Sequence, residues 1–214
     1  MLRRYPAVSF IDLCMRGISH IGDRVMTKKK SRKTNPRNIP LARRDVNKAA
    51  ILDEATKDDM FHAWLLVLTT LIDSQPLSEI SSIIKSVNTY VTKSASEING
   101  TDQMRIAEDI VPVSKPHQNL NVDMIRSPIE LEHFKKKVER LAVYTALCVI
   151  CLGMLSSGRY SPEELRSIFF SADLTLAEIE HGCTTYEGLK LNLTLAGIQV
   201  ERAGEDEVKL LPSE

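Results

Sequence analysis

SPIELEHFKKKVERLAVYTALCVICLGMLS, residues 127–156, is the stretch that decides the fold. It opens on Ser127-Pro128-Ile129-Glu130, the spacing of a capping box. There a hydroxyl oxygen takes one orphan amide and a glutamate three residues on reaches back for another. Proline at the first helical position agrees. The pattern predicts one helix to about Ser156. Residues 141–155 form the longest apolar run of the chain, shorter than the roughly 18–20 residues a membrane helix needs. The run therefore reads as the core helix of a globular body. Cys148 and Cys151 sit inside it. A zinc pair belongs on a turn and a redox pair at a helix N-terminus, so these two read as small buried hydrophobes.

Working toward the C-terminus, the same helix-start signal recurs twice. Ser161-Pro162-Glu163-Glu164 opens a helix to about His181, and Thr184-Thr185-Tyr186-Glu187 opens one to about Ala196. Gly182 and Gly197 stand where C-terminal cap glycines belong. The apolar pairs at 198–201 and 208–211, around Ala203-Gly204, predict a hairpin or tail over 198–214.

Working toward the N-terminus, 111–126 carries Pro112 and Pro116 with no strong periodicity and reads as a linker. Before it, Asp45 is a fair N-cap for a long helix ending near Leu71, apolar nearly all round from Ala63 to Ile72. Pro76 then starts a helix whose Ile80, Ile83, Ile84, Val87, Val91, Ala95 and Ile98 recur at three and four, with Gly100 as its stop. Thr101 caps a short helix to Ile110. Each half is thus a helix, a proline turn, a second helix, a glycine stop and a short third helix. Ser96-Glu97-Ile98-Asn99-Gly100 answers Ala177-Glu178-Ile179-Glu180-His181-Gly182. The reading is a duplication: an all-α fold of two similar three-helix units, 45–110 and 127–197, packed together.

The chain has 214 residues, 43% apolar and 5% aromatic, with 28 basic and 28 acidic side chains. That balance conceals a split. Residues 1–48 hold 13 Lys or Arg against Asp12, Asp23 and Asp45, a net of +10, so 49–214 carries −10. Lys28, Lys29, Lys30, Arg32, Lys33, Arg37, Arg43 and Arg44 form a basic arm. Pro36 and Pro40 interrupt it, and its few apolar groups predict mobility. Ahead of it, Phe10, Cys14, Ile18, Ile21 and Val25 keep helical spacing. Asp12, Arg16 and His20 interrupt any secretory apolar core. Met26-Thr27-Lys28-Lys29-Lys30 resembles the start of a cytoplasmic protein, and Gly22-Asp23 can be encoded as a purine-rich ribosome-binding site. Residues 1–25 are accordingly expected to be leader sequence, and 1–44 leader plus arm.

The stretch Lys-Ser-Arg-Lys-Thr-Asn-Pro-Arg-Asn-Ile-Pro at 30–40, followed by Asp45-Val46-Asn47-Lys48-Ala49, is similar to the opening of a group of small helical proteins. Glu178-Ile179-Glu180-His181-Gly182 and Tyr186-Glu187-Gly188-Leu189-Lys190 resemble their ending. These are the small uncharacterised proteins carried by prophages and mobile elements of Gram-positive bacteria. The resemblance implies a cytoplasmic, element-associated helical protein in a bacterial host. It supplies no activity, cofactor or site residue.

Chemistry-bearing patterns are few. Glu130 with His133, Glu178 with His181 and Asp59 with His62 share the i, i+3 spacing that di-iron helical bundles use. Glu130 already has a capping role, Glu178 and His181 end a helix, and the pairs do not align between the repeats. Phosphate-cradling glycine loops and a Gly-x-Ser-x-Gly elbow are absent from the sequence. A helix-turn-helix at 161–190 would read DNA with a helix whose one base is Lys190. Trp64, Phe61 and Tyr144 read as core, whereas Phe169 and Phe170 point to different faces, one of them toward a partner.

The expectation is a non-catalytic adaptor that acts through helix faces on a protein partner, with no cofactor, metal or membrane and with self-association open. The alternative is a nucleic-acid-associated regulator using the basic arm, whose cations would bind phosphates without reading sequence.

Overall fold

The computed structural model describes residues 58–94, 101–112, 127–202 and 208–211. The fold is all-α. Among the described residues there are six helices: α1 (Asp59–Leu71), α2 (Leu77–Ser94), α3 (Thr101–Ile110), α4 (Pro128–Ser156), α5 (Pro162–Glu180) and α6 (Tyr186–Leu195). A two-stranded antiparallel sheet, β1 (Gln199–Arg202) and β2 (Val208–Leu211), follows with Gln199 opposite Leu211 and Arg202 opposite Val208. The expected hairpin is therefore present.

Helix α1 is central because it has almost no polar face. Met60, the run Ala63 to Leu68, and Leu71 are all buried. It packs against α5 and α6. α5 answers with Leu165, Phe169, Ala172 and Leu176, spaced four, three and four along one stripe. α6 answers with Leu189 and Leu193. α3 packs on α5, β1 on α6 and β2 on α2. Helices from the two sequence halves thus share one core.

α2 buries Ile80, Ile83, Ile84, Val87 and Val91. Its Val87 meets α4 at Gly153, where a Cβ would lie 2.9 Å from one Val87 methyl and 3.0 Å from the Val87 Cα. Glycine lets the two backbones approach there, at the cost of a poor helix former.

The caps follow the sequence closely. Ser127 Oγ accepts from the Glu130 amide, while Glu130 Oε2 accepts from the Ser127 amide. Ser161 and Glu164 make the same reciprocal pair. These bonds hold the exposed Glu164 carboxyl below its usual range. Gly182 and Gly197 have φ of 74° and 83°, and each ends its helix in a Schellman pair. The Cys183 amide donates to Glu178 O and the Gly182 amide to Ile179 O, and Ile198 and Gly197 repeat the pattern on Leu193 and Thr194.

Two boundaries differ from the sequence reading. The helix expected to run unbroken from Asp45 starts at Asp59, after Asp58 at φ −117° and ψ 15°. Helix α2 is described to Ser94, and Ala95, Ile98 and the Gly100 stop lie outside the described residues. At α6 the N-cap is Thr185, which accepts from the Gly188 amide. The Thr184–Glu187 box is therefore not made, because the cap falls one residue later. The linker expected over 111–126 lies largely outside the described residues, as do 95–100.

The order of elements repeats. α1 and α4 are each followed by a five-residue connection, 72–76 and 157–161. Helices of 18 and 19 residues come next, then helices of 10 and 10. By compactness the chain divides otherwise. One unit gathers 58–116 with 141–214, and the other gathers 1–57 with 117–140. In the second, the described part is the N-terminal half of α4, where Phe134 and Val138 are buried.

By length and composition α4 is long and apolar enough to cross a membrane, with a mean hydropathy of 1.8 over its most apolar window. Some 67% of that window is buried within the protein, the pattern of a core helix.

Two measurements check this account. Gly153→Val should lower stability by about 2–3 kcal/mol through overpacking against Val87, read by urea denaturation, with Val87→Ala in the same chain recovering part of the loss. Ser161→Ala should cost about 1 kcal/mol as a lost cap.

Candidate functional site

Lys28, Lys29, Lys30, Arg32, Lys33, Arg37, Arg43 and Arg44 lie outside the described residues. The three i, i+3 acid–histidine pairs are each placed. Glu130 serves its helix cap and His133 beside it is exposed. Glu178 and His181 are exposed at the end of α5. Asp59 is buried, and its Oδ1 accepts from the Met60 amide at 2.7 Å. Among the described residues no three His, Cys, Asp or Glu side chains are grouped to hold a metal ion. Cys148 and Cys151 are wholly buried in the core. Burial pushes the Cys151 thiol up to about 12, the Cys148 sulfur beside it adding to the shift. It stays protonated and apolar in character. Cys183 is exposed.

The joint between α1 and α6 is aromatic. The His62 and Tyr186 rings stack with centroids 3.7 Å apart and planes 2° from parallel. Lys190 Nζ stands 5.8 Å from the centre of the Phe61 ring, one residue away on α1. Phe61 is half-buried, so this ring read as core is a shielded surface platform, whereas Trp64 and Tyr144 are core. Desolvation lowers the His62 pKa from its usual value, against the opposing pull of Asp58 and Glu187. The imidazole is thus held neutral as a packing ring.

Two helices carry apolar side chains on the side away from the core. On α5, Phe169 is fully buried while Phe170 and Leu174 are each 54% exposed. On α6 the leucines alternate. Leu189 and Leu193 are buried, and Leu191 and Leu195 are 59% and 78% exposed. A period of two in a helix turns successive members about 200° apart, so half of such a row must face outward. The sequence reading found the split at Phe169–Phe170. It missed Leu191 and Leu195, although the alternation Leu-x-Leu-x-Leu-x-Leu from 189 was there to be seen. Lys190, the one base of the helix that would read DNA, stands over Phe61. The exposed positions of α6 include Leu191 and Leu195 beside Asn192 and Thr194, with Lys190 its one cation, a sparse set of donors for base edges.

Comparison with protein-family models, with curated proteins and with solved structures finds no match.

The lowered His62 pKa has a sign that can be checked. Above the usual pKa of 6.5, His62 is neutral both folded and unfolded and contributes no slope. As pH falls below it the unfolded chain binds the proton more readily, so stability declines. Thermal unfolding between pH 7.5 and pH 5 is expected to show this decline in the parent chain, and a shallower one in His62→Phe.

Proposed function

We propose that this protein is a non-catalytic binding protein that engages a protein partner through the outer faces of α5 and α6. The observation that carries the reading is the exposed apolar row, Phe170 with Leu174 and Leu191 with Leu195, on the side of each helix opposite its buried stripe. Side chains of this kind facing water in a helical pattern fit the anchors by which one helix face meets another. Acidic residues flank them: Glu163 and Glu178 on α5, Glu187 on α6. The burial of most of the apolar window of α4 supports a core role for that helix rather than a membrane one. The setting we infer, from the resemblance noted in the sequence, is the cytoplasm of a bacterium carrying a prophage or mobile element.

A second reading rests on the +10 charge of residues 1–48. In it the arm holds nucleic acid through phosphates, and the helical body is its carrier.

Pull-down from bacterial lysate separates the two. With the Phe170→Glu, Leu174→Glu double variant and the Leu191→Glu, Leu195→Glu double variant beside the parent chain, the first reading expects a protein retained through nuclease and high salt and lost from at least one variant. All are exposed positions, so helicity by circular dichroism should be unchanged. Recovery that vanishes with nuclease or salt, and is indifferent to the four substitutions, would replace the first reading with the second.

A further inference from the structure

The outer face of α2 carries a second, unrelated surface. Opposite its buried stripe run Ser82, Lys85, Ser86, Thr89, Tyr90 and Lys93, at spacings of three, one, three, one and three. With Ser156 and Ser157 at the end of α4 they line a groove of about 580 Å³. That is within the size of small-molecule sites, roughly 300–1,000 Å³. Among the described residues its charged lining consists of two ammonium groups and no carboxylate.

The hydrogen bonds give the groove a polarity. Ser86 Oγ donates to Ser82 O at 2.9 Å, and Thr89 Oγ1 to Lys85 O at 2.7 Å. Ser156 Oγ donates to Gly153 O at 2.8 Å, and Ser157 Oγ to Met154 O at 2.6 Å. The Tyr90 hydroxyl donates to Gln103 Oε1 at 3.1 Å. A hydroxyl has one proton and two lone pairs. The serines and Thr89 thus direct their protons to the protein and turn lone pairs outward as acceptors, one on Ser157 already taken by the Arg159 amide at 3.4 Å. The α4 end adds the partial negative charge of a helix C-terminus. The donors of the site are therefore the two lysines and the Ser82 hydroxyl. The lysines stand about 12 Å apart along the axis, and their flexible stems allow both to converge on one anion.

Such a site wants an anion at one end and hydroxyl donors at the other. A bare phosphate meets the lysines and leaves the acceptors unanswered. A neutral sugar does the reverse. We propose that the groove between α2 and the end of α4 binds a phosphorylated polyol, its phosphate on Lys85 and Lys93 and its hydroxyls donating to Ser86, Thr89, Ser156 and Ser157. This goes beyond the partner-binding reading and stands independently of it, since it uses none of the α5 and α6 residues.

Calorimetric titration of the full chain tests it. The probes are ribose 5-phosphate and glucose 6-phosphate, with adenosine monophosphate to admit a nucleotide as the source of the same chemistry, and inorganic phosphate and ribose as the two halves. The expected result is that at least one of the phosphorylated probes binds at least about tenfold more tightly than either half, a gap of about 1.4 kcal/mol. Lys85→Glu with Lys93→Glu should abolish binding, with helicity unchanged because both are surface positions. Ser156→Val should weaken the phosphorylated probe and leave inorganic phosphate as it was. The proposal is overturned if no phosphorylated probe binds at about 10 mM. It is equally overturned if inorganic phosphate binds as well as they do, or if binding survives the double lysine variant and so belongs to cations elsewhere, the 28–48 arm first among them.

Discussion

The burial of α1 on all sides is the constraint from which the rest of the main unit follows. From Ala63 to Leu68 no side chain is more than 1% exposed, so the helix has to be met by apolar surface around its whole circumference. One neighbouring helix cannot do that. α5 brings a four-residue stripe and α6 two leucines, and the tight 181–185 turn that joins them lets both reach the same helix. The left-handed Gly182 makes that turn without strain. Trp64 shows how strongly burial dominates here. Its indole N–H has no hydrogen-bond partner among the described residues, a cost of about 1–3 kcal/mol. A ring of about 150–250 Å² removed from water outweighs it.

The α2–α4 contact solves the opposite problem. Where two helices of ordinary side chains would stand 8–10 Å apart, Gly153 lets Val87 come in against backbone. The close crossing leaves the polar side of α2 free beside the end of α4, and the groove forms there. Serine and threonine are indifferent helix formers because their hydroxyls compete for the backbone. In α2 the competition is settled inside the helix, by bonds to the carbonyl four residues back, as Thr69 and Thr70 also do in α1. The surface can then be rich in hydroxyls and still helical.

Much of this was legible in the sequence, for local reasons. Capping boxes at Ser127 and Ser161, cap glycines at 182 and 197 and the three-four spacing of the α2 isoleucines each depend on a few neighbouring residues, and each was read correctly. One reading slipped because two local signals compete. Thr184 and Thr185 are both competent caps, and Glu187 favoured the first, but the helix takes the second. The stacking of Tyr186 on His62 is a contact from 124 positions earlier, which no local spacing reports. The groove was invisible for the same reason. Its stripe on α2 reads as an ordinary solvated face until Ser156 and Ser157 are brought beside it.

The hairpin adds a temporal dimension. β1 lies on α6, but β2 lies on α2, more than a hundred residues earlier in the chain. A ribosome makes the chain from one end at about 5–20 residues per second. α1 and α2 are therefore made many seconds before the surfaces that cover them. For that interval a helix apolar on every side has no partners of its own to fold against, and exposed apolar surface of this kind is prone to aggregate. Completion waits for residues 208–211 to emerge. A ribosome stalled short of them should leave the nascent chain without the strand that packs on α2, even though all six helices have already been synthesised.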